Sequence, residues 1–167
     1  RNMTLYGWLS EQPGVDMMLF RFMRKAFDSP HQAALNFADP DVLALRQLAM
    51  KVSHEGERMR QFIRFQKAAD GSYFATVEPQ FNSLPIAINY LTDRFHDQQG
   101  LVYDTKRRYG YDYDLQKAVE VTMEEDSYLL GGKLSQEMMH RDEQLFQRMW
   151  KSYYKHIAIK ERINPKL

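Results

Sequence analysis

The 167 residues contain no cysteine. Disulfides, thiol nucleophiles, cysteine-held zinc and cysteine-ligated iron–sulfur clusters are therefore excluded within this chain. No stretch approaches the roughly 18 consecutive apolar residues of a membrane helix. The opening Arg1-Asn2-Met3-Thr4 lacks the hydrophobic run of a signal peptide. A cytoplasmic protein without a membrane span is the expectation. Charge of one sign is also scarce in excess: 23 Lys and Arg face 22 Asp and Glu, for a net charge of +1. That is far from the strongly basic balance of a dedicated nucleic-acid binder, so any such contact must rest on local patches. Glycine-rich phosphate loops and glycine-x-serine-x-glycine elbows are missing as well, which leaves nucleotide and serine-based hydrolysis without a local motif. The five histidines, His31, His54, His96, His140 and His156, include no pair at the spacing that lets adjacent helical turns grip one metal. No metal and no cofactor is expected.

What the chain does have is 44% apolar residues, enough to bury a sizeable core in one domain of this length. Leu5-Tyr6-Gly7-Trp8-Leu9 reads as a short strand, and Pro13-Gly14 breaks the chain. Met18/Leu19, Phe22/Met23 and Ala26/Phe27 then recur at helical spacing. Asp39-Pro40-Asp41 is the clearest helix start, because aspartate can cap free amides and proline at the first position forfeits no needed donor. The helix should run from about Pro40 towards Met59, weakened near Gly56.

The period then changes. Phe62-Ile63-Arg64-Phe65 and Tyr73-Phe74-Ala75-Thr76-Val77 flank the turn dipeptide Asp70-Gly71, which predicts one hairpin. Ser83-Leu84-Pro85 opens a helix that ends near Gly100. Leu101-Val102-Tyr103-Asp104 and Tyr109-Gly110-Tyr111-Asp112-Tyr113, joined by Lys106-Arg107-Arg108, predict a second hairpin with three tyrosines on one face. Val119-Glu120-Val121-Thr122 fits a strand, or a helix that would pair Glu120 with Glu124 beside Glu125 and Asp126. A last helix from about Gln136 beyond Tyr154 follows the Gly131-Gly132 break, capped by Ser135. The expected fold is α+β: an antiparallel sheet of two β-hairpins in a β-β-α-β-β core, packed with flanking N- and C-terminal helices. Residues 1–167 form a single domain, and the missing initiator methionine suggests a fragment.

Two basic patches stand out. Lys106, Arg107 and Arg108 lie at a hairpin end between tyrosines, which suits phosphate neutralisation with aromatic surfaces for unpaired bases. The plainer alternative is a polar turn with core-packed tyrosines. Lys155, Lys160, Arg162 and Lys166 form the second patch, near the end of the chain. Arg64 inside its strand must face solvent, pair with a carboxylate such as Asp104, or hold an anion.

These pieces carry a resemblance. Phe62-Ile63-Arg64-Phe65-Gln66-Lys67, Gly71-Ser72-Tyr73-Phe74-Ala75, Val77-Glu78-Pro79, Asp93-Arg94-Phe95, Val102-Tyr103-Asp104, Arg107-Arg108-Tyr109-Gly110 and Ile159-Lys160-Glu161-Arg162-Ile163-Asn164-Pro165 occur in order. Pro13-Gly14-Val15-Asp16 and Asn36-Phe37-Ala38-Asp39-Pro40-Asp41 precede them. In these the chain resembles a bacterial domain-of-unknown-function family tied to DNA metabolism. Its members are encoded beside a radical SAM protein assigned to DNA repair, and some are fused to a uracil-DNA glycosylase domain. The resemblance implies that an N-terminal strand and helix precede Arg1 in the full family domain and that a basic tail follows Leu167. It also implies DNA, the radical SAM protein or the glycosylase domain as partners.

The expected function is that of a DNA-repair accessory domain. It binds nucleic acid through Arg64, Lys106, Arg107, Arg108, Lys155, Lys160, Arg162 and Lys166, or couples to one of those partners. The alternatives are a protein-interaction module that makes no DNA contact, with Tyr- and Met-rich surfaces, and an enzyme acting on a nucleotide or damaged base. The enzyme would need His54, Arg64, Asp104 and Glu161 brought together by the fold.

Overall fold

The computed structural model describes residues 2–28, 36–122, 129–130 and 133–134. Three helices come first: α1 (Asn2–Leu9), α2 (Val15–Asp28) and α3 (Pro40–Phe62). The Asp39 side chain accepts from the amides of Asp41 and Val42 at 3.0 and 3.4 Å and so caps α3, as its sequence position demands. The same carboxylate and that of Asp41 take Lys25 of α2 at 2.6 and 3.1 Å. This cap thus ties two helices together. Val15, Leu19 and Phe22 of α2 pack on Val42 and Leu45 of α3.

The segment read as an opening strand is instead helix α1. Its aromatic and glycine content suggests a strand, but Gly7 and Leu9 are buried and tertiary packing decides the outcome. A β-carbon at Gly7 would lie 2.5 Å from Leu45 Cδ1. The glycine lets α1 lie close against α3, which outweighs its poor helix propensity. Gly56 plays a similar part: it is buried, with Ile86 Cγ2 3.3 Å from where a β-carbon would sit. So α3 does not fade there but continues to Phe62.

That continuation shortens the first hairpin. Phe62 closes a helix, Ile63 caps it, and the first strand is only β1 (Gln66–Lys67), paired antiparallel with β2 (Tyr73–Val77). Helix α4 (Leu84–Arg94) leads to β3 (Gly100–Asp104), β4 (Tyr109–Tyr113) and β5 (Ala118–Thr122). The sheet order is β1-β2-β3-β4-β5. It is mixed, not wholly antiparallel, since β2 and β3 run parallel from Tyr73↔Gly100 to Val77↔Asp104. The cause is the crossover: the 11 residues of α4 span about 16 Å, roughly one strand length, and return the chain to the end where β2 began. Val119 to Thr122 is strand, so the helical pairing of Glu120 with Glu124 does not arise. Two short strands, β6 (Leu129–Leu130) and β7 (Lys133–Leu134), pair antiparallel. The α+β class stands, with a five-stranded, mostly antiparallel sheet and four helices among the described residues. The expected last helix lies outside them.

One sheet face is closed by α4 and the end of α3, through Met59, Ala75, Leu84, Ala87, Leu91 and Val102. Phe74 and Tyr103 are buried on the other face, beside Ala68. Leu9, Val52 and Phe81 link the helical layer to the loop between β2 and α4. That loop is where the polar groups gather.

Candidate nucleic-acid interface

The β3–β4 turn begins at Asp104, whose side chain is fully buried. A buried carboxylate is costly unless its oxygens are fully used. Here Oδ1 accepts from the amides of Lys106 at 2.9 Å and Arg107 at 3.1 Å, and Oδ2 accepts from Arg107 Nη1 at 2.9 Å. The Asp104 carbonyl also takes the Arg108 amide at 2.9 Å. The turn ends with Arg108 at a φ of 58°, in the left-handed region. Asp104 therefore pairs with the arginine three residues on, not with Arg64.

Arg107 does more than answer Asp104. Its Nε and Nη2 meet Glu11 Oε2 at 2.8 and 2.7 Å, while Nη1 and Nη2 reach the carbonyls of Pro79 and Gln80 at 3.2 and 3.1 Å. The planar guanidinium suits this fan of acceptors. Its side chain is only 11% exposed, so it cannot present a free charge to a phosphate. Burial, the largest single influence, would lower its pKa. The hydrogen bonds and charges of Glu11 and Asp104 together outweigh that and leave the value raised.

The loop that Arg107 grips is fixed from below as well. Glu55 of α3 accepts from the amides of Gln80 at 2.7 Å and Phe81 at 2.9 Å and from Ser83 Oγ at 3.0 Å. Tyr109 donates its hydroxyl to Asn82 Oδ1, and the Asn82 backbone N–H donates to the Leu9 carbonyl. The Tyr109 phenol is pushed up, first by burial and then by the nearby Tyr111 and Asp104 charges, so it stays protonated. Tyr111 is raised too, by burial and then by Glu120, which accepts its hydroxyl at 3.2 Å.

Lys106 and Arg108 are the exposed cations of the turn. Lys106 Nζ rests one hydrogen bond on the Gln80 carbonyl at 2.9 Å. The tyrosines beside them do not form an open stacking platform. Tyr109 and Tyr111 meet edge to face at 5.9 Å and pack against the core beneath α4. The cleft that Phe65, Phe95, Tyr111 and Tyr113 line there holds about 20 Å³, room for about one water and too little for a base.

The remaining candidates are dispersed. Arg64 is exposed between α3 and β1, and His54 is exposed on α3. His54, Arg64 and Asp104 do not line the clefts beneath α4, beside α1 or between α1 and α3. Among the described residues no group of three His, Asp or Glu could hold a metal ion. No described helix is long and apolar enough to cross a membrane. Glu161, Lys155, Lys160, Arg162 and Lys166 lie outside the described residues, as do Glu124, Glu125 and Asp126. Sequence reasoning missed Glu11, Glu55 and Asn82. Their partners are 25 or more residues away in the chain, and no local spacing announces them.

With this geometry in view, a family model matches residues 13–167, from just ahead of α2 through all the strands. The chain belongs to the DUF4130 family, a domain of unknown function. The DUF4130 match takes in Asp104, Arg107, Glu55 and Asn82 but begins after Glu11, so the clasp has one arm outside it. No curated protein and no solved structure matches the chain.

Proposed function

We propose that this domain is a non-catalytic accessory domain of DNA metabolism that touches the nucleic-acid backbone at the β3–β4 tip. The observation that supports this is a division of labour within one turn. Asp104 and Arg107 use their charges on each other and on the fold, while Lys106 and Arg108 face solvent on the backbone they hold rigid. A preorganised turn loses little entropy when it meets a phosphate. The family resemblance supplies the DNA setting. It also supplies the partner that would perform the bond-making, a radical SAM protein or a uracil-DNA glycosylase domain. The dispersal of His54, Arg64 and Asp104 favours this over an enzyme.

Fluorescence anisotropy with single- and double-stranded oligonucleotides over a salt series tests the proposal. Phosphate neutralisation makes affinity fall linearly on logarithmic axes. Arg108→Ala should weaken binding uniformly across sequences and reduce the salt slope by about one. Absence of binding at low salt would overturn it. Co-purification with the radical SAM protein tests the coupling, and two separate peaks at micromolar concentration would count against it.

A further inference from the structure

Helix α2 has two apolar faces, and only one is packed against the described residues. Val15, Leu19 and Phe22 are buried against α3. On the opposite side Met17, Phe20 and Met23 are each more than half exposed, and Phe27 is 89% exposed. Trp8 of α1, also more than half exposed, stands beside the start of this face. Single exposed apolar residues need no explanation, but a continuous stripe of large ones marks a contact surface.

The pattern along the stripe is symmetric about Phe20. Met17 and Met23 lie three residues to either side, and Asp16 and Arg24 four residues to either side. Arg21 and Lys25 are held by Asp39 and Asp41, whereas Asp16 and Arg24 are exposed and take no ion pair among the described residues. At one end of the helix Trp8, Gln12, Val15 and Asp16 line a cleft of about 280 Å³. At the other end Phe27 projects.

We infer that this face binds a second copy of the chain, in a two-fold symmetric dimer with the two α2 helices antiparallel across Phe20. An isologous contact needs a self-complementary surface, and the antiparallel arrangement provides one. It stacks Phe20 on its counterpart and sets Met17 level with Met23 of the other copy. Four residues correspond to about 6 Å along the axis, so Asp16 comes level with Arg24 of the second copy, twice by symmetry. Phe27 lies about 10 Å beyond Phe20, where the second copy presents the cleft beside its Trp8. Knob meets hole and carboxylate meets guanidinium under one symmetry operation. This inference is independent of the nucleic-acid reading.

Sedimentation equilibrium on the full chain tests it, with charge reversal as the decisive arm. The native chain should dimerise in the micromolar range. Phe20→Glu should raise the dimer dissociation constant about thirtyfold or more, as loss of a buried interface anchor does, with the circular dichroism spectrum unchanged. Asp16→Arg alone and Arg24→Asp alone should each weaken the dimer through like-charge contacts, and the double reversal D16R/R24D should restore it. A chain that stays monomeric into the high micromolar range overturns the inference, including one that instead binds a different protein on this face. A dimer indifferent to Phe20→Glu and to the single reversals overturns it equally.

Discussion

The β3–β4 tip and the outer face of α2 are opposites. At the tip the buried charges are answered inside the fold: Asp104 by Arg107 and two amides, Arg107 by two carboxylates and two carbonyls, and the loop amides by Glu55. On α2 the apolar groups Met17, Phe20, Met23 and Phe27 are answered by nothing described. A polar network this complete rigidifies a structure and leaves little for a ligand, whereas an apolar stripe that no described residue covers marks a contact surface. Counting cations in the sequence points to the tip as the binding surface. Counting what each side chain already holds reduces that claim to Lys106 and Arg108, and makes α2 the larger interface.

The comparison can be broken most sharply at Asp104. Asp104→Ala leaves the Arg107 guanidinium partly buried without its buried carboxylate partner and strands two amides, so urea unfolding should show a loss of about 3 kcal/mol. A loss within about 0.5 kcal/mol would mean that the tip is not a clasp. Glu55→Ala removes the acceptor of two loop amides and the Ser83 hydroxyl, and should lower stability by about 2 kcal/mol. Glu11→Gln should cost only about 0.5 kcal/mol, because Glu11 is half exposed and Arg107 keeps Asp104.

The smallest effect lies in alkali. The Tyr109 phenol is raised above its ordinary value of 10.0 in the fold, so the native state holds its proton longer than the unfolded chain. Its contribution is complete below pH 10 and is lost as pH rises beyond it. Tyr109→Phe should flatten the alkaline decline in melting temperature.

Much of this was legible in the sequence where the signal is local. The Asp39-Pro40 cap, the Asp70-Gly71 turn, the α4 start at Leu84-Pro85 and the strand character of Tyr109 to Tyr113 depend on neighbours within a few residues. What failed depended on distant ones. Leu5 to Leu9 is helical because Gly7 lies against Leu45 of α3. Phe62 to Phe65 is not a strand because Gly56, packed on Ile86, lets α3 run on. Arg107 reads as a phosphate ligand until Glu11, far off in sequence, comes into contact with it. The stripe on α2 is visible as helical spacing, but spacing alone does not divide it: Phe22 is buried while Met23 and Phe27 face outward.

Adjacent arginines of one turn have different work: Arg107 holds the fold and Arg108 faces out. Urea unfolding of Arg107→Ala and Arg108→Ala beside the native chain tests it directly. A loss of about 3 kcal/mol is expected for Arg107→Ala, which leaves Asp104 buried and unpaired, and a change within about 0.5 kcal/mol for the exposed Arg108. Equal losses, or a larger one at Arg108, would contradict it.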